Sequence, residues 1–189
     1  SLLEILVPKR TLRTKKSKRW LNNFLLIFLN TFILRFIFPM TLISWAAFAQ
    51  KQHWGIFNYL DWPLYIEVIF SFVILDFVIY LQHVIFHFIP LLWKLHQVHH
   101  ADLDLDVTSG ARFHTLEMIL SMIIKFLIVI LLGPPLLAVL LFEVILNAAA
   151  MFNHSNISIP TKVDKWLRLF LVTPDMHRVH HSKIVEEAN

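Results

Sequence analysis

Long apolar runs separated by short polar stretches set the organisation of this chain. From Leu21 to Ala49 the only charge is Arg35 and the only proline is Pro39. A helix needs about 20 residues to cross the hydrocarbon of a bilayer. The run therefore predicts one long crossing, kinked or tilted, rather than two full ones. Gln50 to Asp61 is a polar, Trp-containing connection, and Pro63 opens a second span that runs through Leu81 with Glu67 and Asp76 inside it. A more polar, His-rich stretch follows from Gln82 to Glu117. A third apolar run, Met118 to Leu132, breaks at Gly133-Pro134-Pro135, and a fourth runs from Leu136 to Met151. Each of the last two is short for a full crossing, which predicts a membrane hairpin turning at Gly133 to Pro135.

Charge fixes the expected orientation. Seven of the 17 Lys and Arg lie between Lys9 and Arg19, just ahead of the apolar run. This is the pattern of a cytoplasmic flank of a membrane span, and it outweighs a nucleic-acid reading despite the basic pI of about 9.5. The apolar region is too long and the basic block too large for a cleavable signal peptide. With the block inside, span one exits and span two returns, so the His-rich stretch is cytoplasmic. The hairpin then brings His154 and everything after it back to the same side.

Composition narrows the class. Hydrophobic residues make up 57% and charged residues 16% of 189, and mean hydropathy is +0.64, which excludes a disordered chain and disfavours a plain soluble globule. With no Cys and three Gly, zinc fingers, thiol nucleophiles and glycine-rich phosphate loops are absent. Any metal chemistry must use nitrogen and oxygen ligands.

The histidines supply those ligands. Ten of the 11 lie from His83 onward, and the 18 residues from His83 to His100 hold five where the chain's average predicts about one. His83 and His87 are four apart, which places both rings on one helix face with Cβ atoms about 6 Å apart. His96, His99 and His100 form HxxHH, and His177, His180 and His181 repeat that pattern 81 residues later. Separate burial of so many imidazoles would be costly. Neutral imidazole is a good ligand for Fe, Cu, Zn and Ni, and eight or nine exceed what one ion accepts, so two ions are implied. A His-relay metal transporter or sensor is the competing class, but it needs ligands spread through the membrane depth. A di-haem carrier would need facing His pairs within the spans, which the chain lacks.

From about Asp76 onward the sequence resembles the fatty acid hydroxylase and sterol desaturase superfamily of membrane non-haem di-metal oxygenases. The motifs are HxxxH, HxxHH, the single His154 in Phe-Asn-His-Ser-Asn, and Thr-Pro-Asp-Met-His-Arg-Val-His-His over 173–181. The resemblance implies metal ligands at His83, His87, His96, His99, His100, His154, His177, His180 and His181. It implies two iron ions, replaceable by zinc, that activate O2 to hydroxylate or desaturate a C–H bond of a lipid. Electrons would come from an external reductase, cytochrome or ferredoxin. His114, in Arg-Phe-His-Thr-Leu-Glu, matches a segment that usually reads His-Pro-Leu-Glu, so a supporting or substrate-entrance role is expected there rather than ligation. Val84 stands where the family often has Arg. The family pattern continues past Asn189, so the chain is read as either a fragment or a naturally short form.

The fold expected is all-α: a membrane helical bundle with a cytosolic, His-bearing helical cap, forming a single domain over 1–189. Its parts are a basic flank (1–20), two spans (21–82), a His-rich stretch (83–117), a membrane hairpin (118–152) and a His-rich C-terminal part (153–189). Lys125 and Glu143 flank the hairpin turn at similar depth and predict an ion pair. Asp76, seven residues before His83, is expected either to fix the tautomer of a ligand His or to pair with Arg35. Asn147 lies on a polar stripe of one helical face with Glu143 and His154 and is a candidate for supporting a metal ligand or for the substrate entrance. The acidic loop of Asp102, Asp104 and Asp106 is expected to be solvated, and His53 to be an ordinary surface residue.

Overall fold

The structure, a computed structural model, describes residues 1–182; the part of the C-terminal His-rich segment after Ser182 lies outside the described residues. Its helices are α1 (Leu3–Leu6), α2 (Lys16–Ile37), α3 (Leu42–Lys51), α4 (Leu64–Phe88), α5 (Pro90–His100), α6 (Thr115–Leu132), α7 (Leu136–Asn153), α8 (Thr161–Leu167) and α9 (Pro174–His180). Short 3₁₀ turns occupy Ile56–Tyr59 and Ser109–Ala111. The fold is all-helical, as the apolar runs predict, and four segments are long and apolar enough to cross a membrane: Lys16–Tyr59, Leu64–Phe88, Thr115–Leu132 and Leu136–Asn153. A helix satisfies its own backbone groups, which lipid cannot do.

The chain divides into two compact units. Unit 1 comprises Ser1–Phe28, His96–His114 and the chain from Asn147, and unit 2 comprises Leu29–Leu95 and Thr115–Leu146.

In unit 2, the first crossing is broken at residues 38–41, around Pro39, as the sequence predicts. α3 restarts at Leu42 with Thr41 as its cap, the threonine side chain accepting from the Ser44 amide at 3.1 Å. At one end the Thr115 hydroxyl donates to Asn30 Oδ1 at 2.7 Å. At the other, Gly55 packs on Gly133, and both take left-handed φ values, +96° and +63°. A side chain at either glycine would strike backbone, so the loop after α3 and the α6–α7 turn meet only because both are glycine. Between these ends Leu42 and Ala46 pack with Leu75, Val129, Val139 and Phe142. The Trp45 ring stacks on Phe126 with centroids 5.2 Å apart, and its indole donates to the Phe126 carbonyl at 3.1 Å. The predicted hairpin ion pair forms, with Lys125 Nζ 2.8 Å from Glu143 Oε1. α6 and α7 have 18 residues each, or about 27 Å at the helical rise, close to the roughly 30 Å of hydrocarbon. Asp76 corrects one expectation: it is exposed and makes no hydrogen bond or ion pair with a described residue, so neither the His83 nor the Arg35 partnership forms.

Unit 1 overturns the reading of the acidic loop. Asp102, Asp104 and Asp106 are buried. Arg19, at the end of the basic block, grips Asp102 with two nitrogens at 3.0 Å each, meets Asp106 Oδ2 at 2.9 Å, and donates to the Asp104 carbonyl. The Trp20 indole donates to Asp106 Oδ2 at 3.0 Å. Asp104 accepts from the backbone amides of Arg13 and Thr14 and from the Thr14 hydroxyl, at 2.9, 2.8 and 2.7 Å. Burial pushes the Asp102 carboxyl up, but Arg19 and Ser109 outweigh it and hold it below the ordinary range. These carboxylates leave solvent because a guanidinium and several N–H and O–H donors replace their hydration.

The arm before α2 docks on the segment after α7. Asn156 exchanges bonds with Lys9 and Arg10, and the Ser158 amide donates to the Val7 carbonyl at 2.9 Å. Glu4 turns inward and accepts from the amides of Val107 and Asn156, each at 3.0 Å.

Candidate metal centre

Unit 1 gathers seven of the nine histidines implied as ligands. α5 presents His96, His99 and His100, α7 ends just before His154, and α9 with its C-cap presents His177, His180 and His181. The i, i+3, i+4 spacing of each HxxHH motif does what the sequence predicts: ring centroids lie 5.1 Å apart for His96 and His99 and 4.9 Å for His96 and His100. The two motifs meet where His100 stacks on His181 at 4.2 Å and lies 4.9 Å from His180. In unit 2, His83 and His87 sit together near the end of α4 with centroids 4.8 Å apart, and His87 packs on Trp93 at 5.0 Å.

Within unit 1, His99, His154, His177 and His181 form one group whose candidate ligand atoms all lie within 4.8 Å of one another. Its chemistry follows from where the protons must be. His99 Nδ1 is 3.1 Å from the Arg112 carbonyl and His154 Nδ1 is 2.7 Å from the Ala150 carbonyl. A carbonyl only accepts, so each Nδ1 carries the hydrogen and each Nε2 carries a lone pair. Those two Nε2 atoms nevertheless face each other at 3.0 Å. His177 Nε2 is 2.9 Å from His154 Nε2 and 3.1 Å from His181 Nε2. Facing lone pairs repel unless a cation lies between them. A proton is not that cation at neutral pH: burial holds His154 down to about 4, and burial with the neighbouring imidazoles holds His99 well below its ordinary value. Nitrogens bound to one ion at about 2.0–2.1 Å lie roughly 2.9–3.4 Å apart for octahedral to tetrahedral angles. These three separations fall within that range, so the residues present fit a metal bound by imidazole.

The supports of this group are the part the sequence did not reveal. The His99 ring lies flat on Phe113, with centroids 4.4 Å apart and planes 4° from parallel. Arg112 ties its own loop back to α5 by donating from Nε to the Val98 carbonyl at 3.0 Å. Arg178, inside the second HxxHH, donates to the Ser155 carbonyl at 3.0 Å and pairs with Asp175, which holds α9 beside His154. No spacing rule singles out these residues, because a backbone carbonyl or a ring face has no sequence signature. His114 is half-buried just before α6, Asn147 is exposed on α7, and His53 is exposed in the loop after α3.

Gly110 packs against this group. A Cβ there would lie 2.7 Å from the Ala150 carbonyl oxygen and 3.2 Å from His154 Nδ1. Gly110→Ala should therefore push on the contact that orients His154. The expected result is a loss of about tenfold in metal affinity at unchanged helix content, read by metal titration alongside circular dichroism.

The family model described as fatty acid hydroxylase matches residues 68–189. The chain is 31% identical over 152 residues to the ornithine lipid hydroxylase OlsE of Rhizobium tropici, an alignment covering 80% of this chain. It spans about half of that relative's length, 45%. No solved structure matches. The family match covers every His motif, and by it the chain belongs to the fatty acid hydroxylase family.

Proposed function

We propose that this chain is the metal-binding, membrane-embedded part of an O2-dependent lipid hydroxylase, an oxidoreductase of the di-iron monooxygenase type. The observation that carries the reading is the pair of lone-pair nitrogens, His99 Nε2 and His154 Nε2, aimed at each other at 3.0 Å. One ion would be held by His99, His154, His177 and His181. A second ion is implied by the motif set, which holds more imidazoles than one ion accepts. Iron at such sites supplies the activation of O2 for attack on an unactivated C–H bond. Zinc can replace iron because it binds nitrogen sites more tightly.

The protein's own contribution is to set ligand basicity and keep water out. The Arg112 and Ala150 carbonyls hold each Nδ1–H, which fixes the tautomer and raises the donor strength of Nε2. Phe113 shields one face of His99. The substrate is a membrane lipid, and the relative's name makes an ornithine-type lipid the first to screen. Hydroxylation is favoured over desaturation by the same name. Electrons come from a separate reductase, cytochrome or ferredoxin. The His clusters lie on the cytoplasmic side, by the excess of Lys and Arg before the first span, and the chain acts as a single hydroxylase domain over 1–189.

Metal per chain on detergent-purified protein tests the reading, comparing wild type with His99→Ala/His180→Ala. About two iron ions per chain, lost in the double variant, is the expected result, followed by gain of one oxygen atom in the lipid when a reductase is supplied. A folded wild-type protein that takes up no metal would overturn it.

A further inference from the structure

Two stretches of unit 1 are built inside out. In α1 the carboxylate of Glu4 is buried, at 7% exposure, while Ile5 and its apolar neighbours stand 56–69% exposed. In α8 and the turn after it, Asp164 is buried at 4% and held by Arg168 at 2.6 Å. Trp166 and Phe170, by contrast, are 72% and 82% exposed, with Leu169 between them. The two stretches are fastened together, since Val7 pairs with Ser158 and Pro8 bridges Ile157, three to four residues before α8 begins. An apolar patch of this kind on a soluble surface would be a liability.

We propose that α1 and the segment Val163–Val172 form one interfacial docking surface that embeds in the headgroup region of an anionic bilayer leaflet. The occupant is argued from charge and side-chain type. Lys162, Lys165 and Arg168 are exposed and interleave with Trp166 and Phe170, the combination by which an amphipathic segment lies in a membrane interface with cations at the phosphates and aromatics beneath them. The cations recur at every third position, 162, 165 and 168, around the exposed Trp166, which sets positive charge where anionic headgroups lie. The location has a consequence for the site. Val172 is followed directly by Thr173, which caps α9, the helix that carries His177 and His180. The surface therefore holds ligand-bearing backbone at the level where a lipid headgroup sits. That consequence rests on the hydroxylase reading, whereas the docking itself does not.

The chain has no Cys, so single labels are unambiguous. Spin labels at Phe170→Cys, Ile5→Cys and Thr161→Cys, in the full chain reconstituted into phosphatidylcholine–phosphatidylglycerol vesicles, would be exposed in turn to O2 and to a water-soluble nickel chelate. Positions 170 and 5 should collide with O2 severalfold more, relative to nickel, than position 161. Free access of nickel to positions 170 and 5 would overturn the proposal. Protection from both reagents would also overturn it, since a second protein surface would then cover the patch. Quenching by brominated lipid, taken as the difference between wild type and Trp166→Phe, gives the same answer without a label. No difference would again overturn it. Metal content enters neither readout, so failure here and failure of the hydroxylase reading are separate results.

Discussion

His154→Gln should lower metal affinity about 100-fold or more, an effect above the 10–100-fold typical of losing a ligand's supporting partner. Glutamine keeps the length of the side chain, and its amide can still donate toward the Ala150 carbonyl that now receives His154 Nδ1. What disappears is the Nε2 that lies within 3.0 Å of both His99 and His177. An amide oxygen is a poorer ligand for a transition metal than imidazole. The energetic signature depends on loading. With metal in excess, a 100-fold weaker site forfeits about 2.7 kcal/mol of ligand-linked stability. Without metal, the substitution removes a repulsive contact between two lone pairs and should leave stability equal or higher. Thermal unfolding of detergent-solubilised protein, with and without metal, reads both arms. A substitution that destabilised the two states equally would mean that His154 serves packing alone.

Arg19→Met should be the most damaging single change in unit 1. It strands Asp102 and Asp106 as buried carboxylates whose ion-pair partner is gone. Breaking a buried pair from one side costs about 3–5 kcal/mol, against a total stability of about 5–15 kcal/mol for a typical domain. Arg19→Lys should recover part of the loss, since it restores the charge but not the two-pronged grip on Asp102. Arg19→Met combined with Asp102→Asn should also recover part, by removing the charge left behind. Lys15→Met and Lys18→Met, in the same basic block but exposed, should each cost under about 0.5 kcal/mol. If all three substitutions in the block cost the same small amount, the block would be a membrane flank and nothing more. Chemical denaturation followed by circular dichroism separates these outcomes.

The contrast between Arg19 and its neighbours shows what a charge run conceals. Seven cations in 11 residues read as a solvated flank, and for Lys15 and Lys18 that holds. Arg19 finds its carboxylates 83 and 87 residues away, and no local pattern reports a pairing at that distance. The acidic loop departs from its expected solvation for the same reason. Aspartates at every second position look solvated until a guanidinium and a row of backbone amides take the place of water. Lys125 and Glu143 were legible because the Gly133-Pro134-Pro135 turn fixes their registry within 18 residues. Asp76 shows the converse, since seven-residue spacing shares a helix face with His83 but does not make a contact.

The sequence by itself determined the apolar segments, the break near Pro39, the hairpin and the pairing of rings within each His motif. These depend on properties read locally: backbone that must be satisfied in lipid, the fixed φ of proline, and the 3.6-residue turn. Only the tertiary structure decided that His99, His154, His177 and His181 converge, that the Arg112 and Ala150 carbonyls set their tautomers, that Arg19 holds the acidic loop, and that Trp166 and Phe170 face outward. The convergence of the histidines and the grip of Arg19 join stretches 23 to 87 residues apart, the tautomer contacts span 13 and 4 residues, and the outward rings depend on which face of a short helix is covered. They arise from the packing of distant backbone and from the cost of leaving a buried charge or lone pair unmatched, neither of which has a signature in a local run of residues.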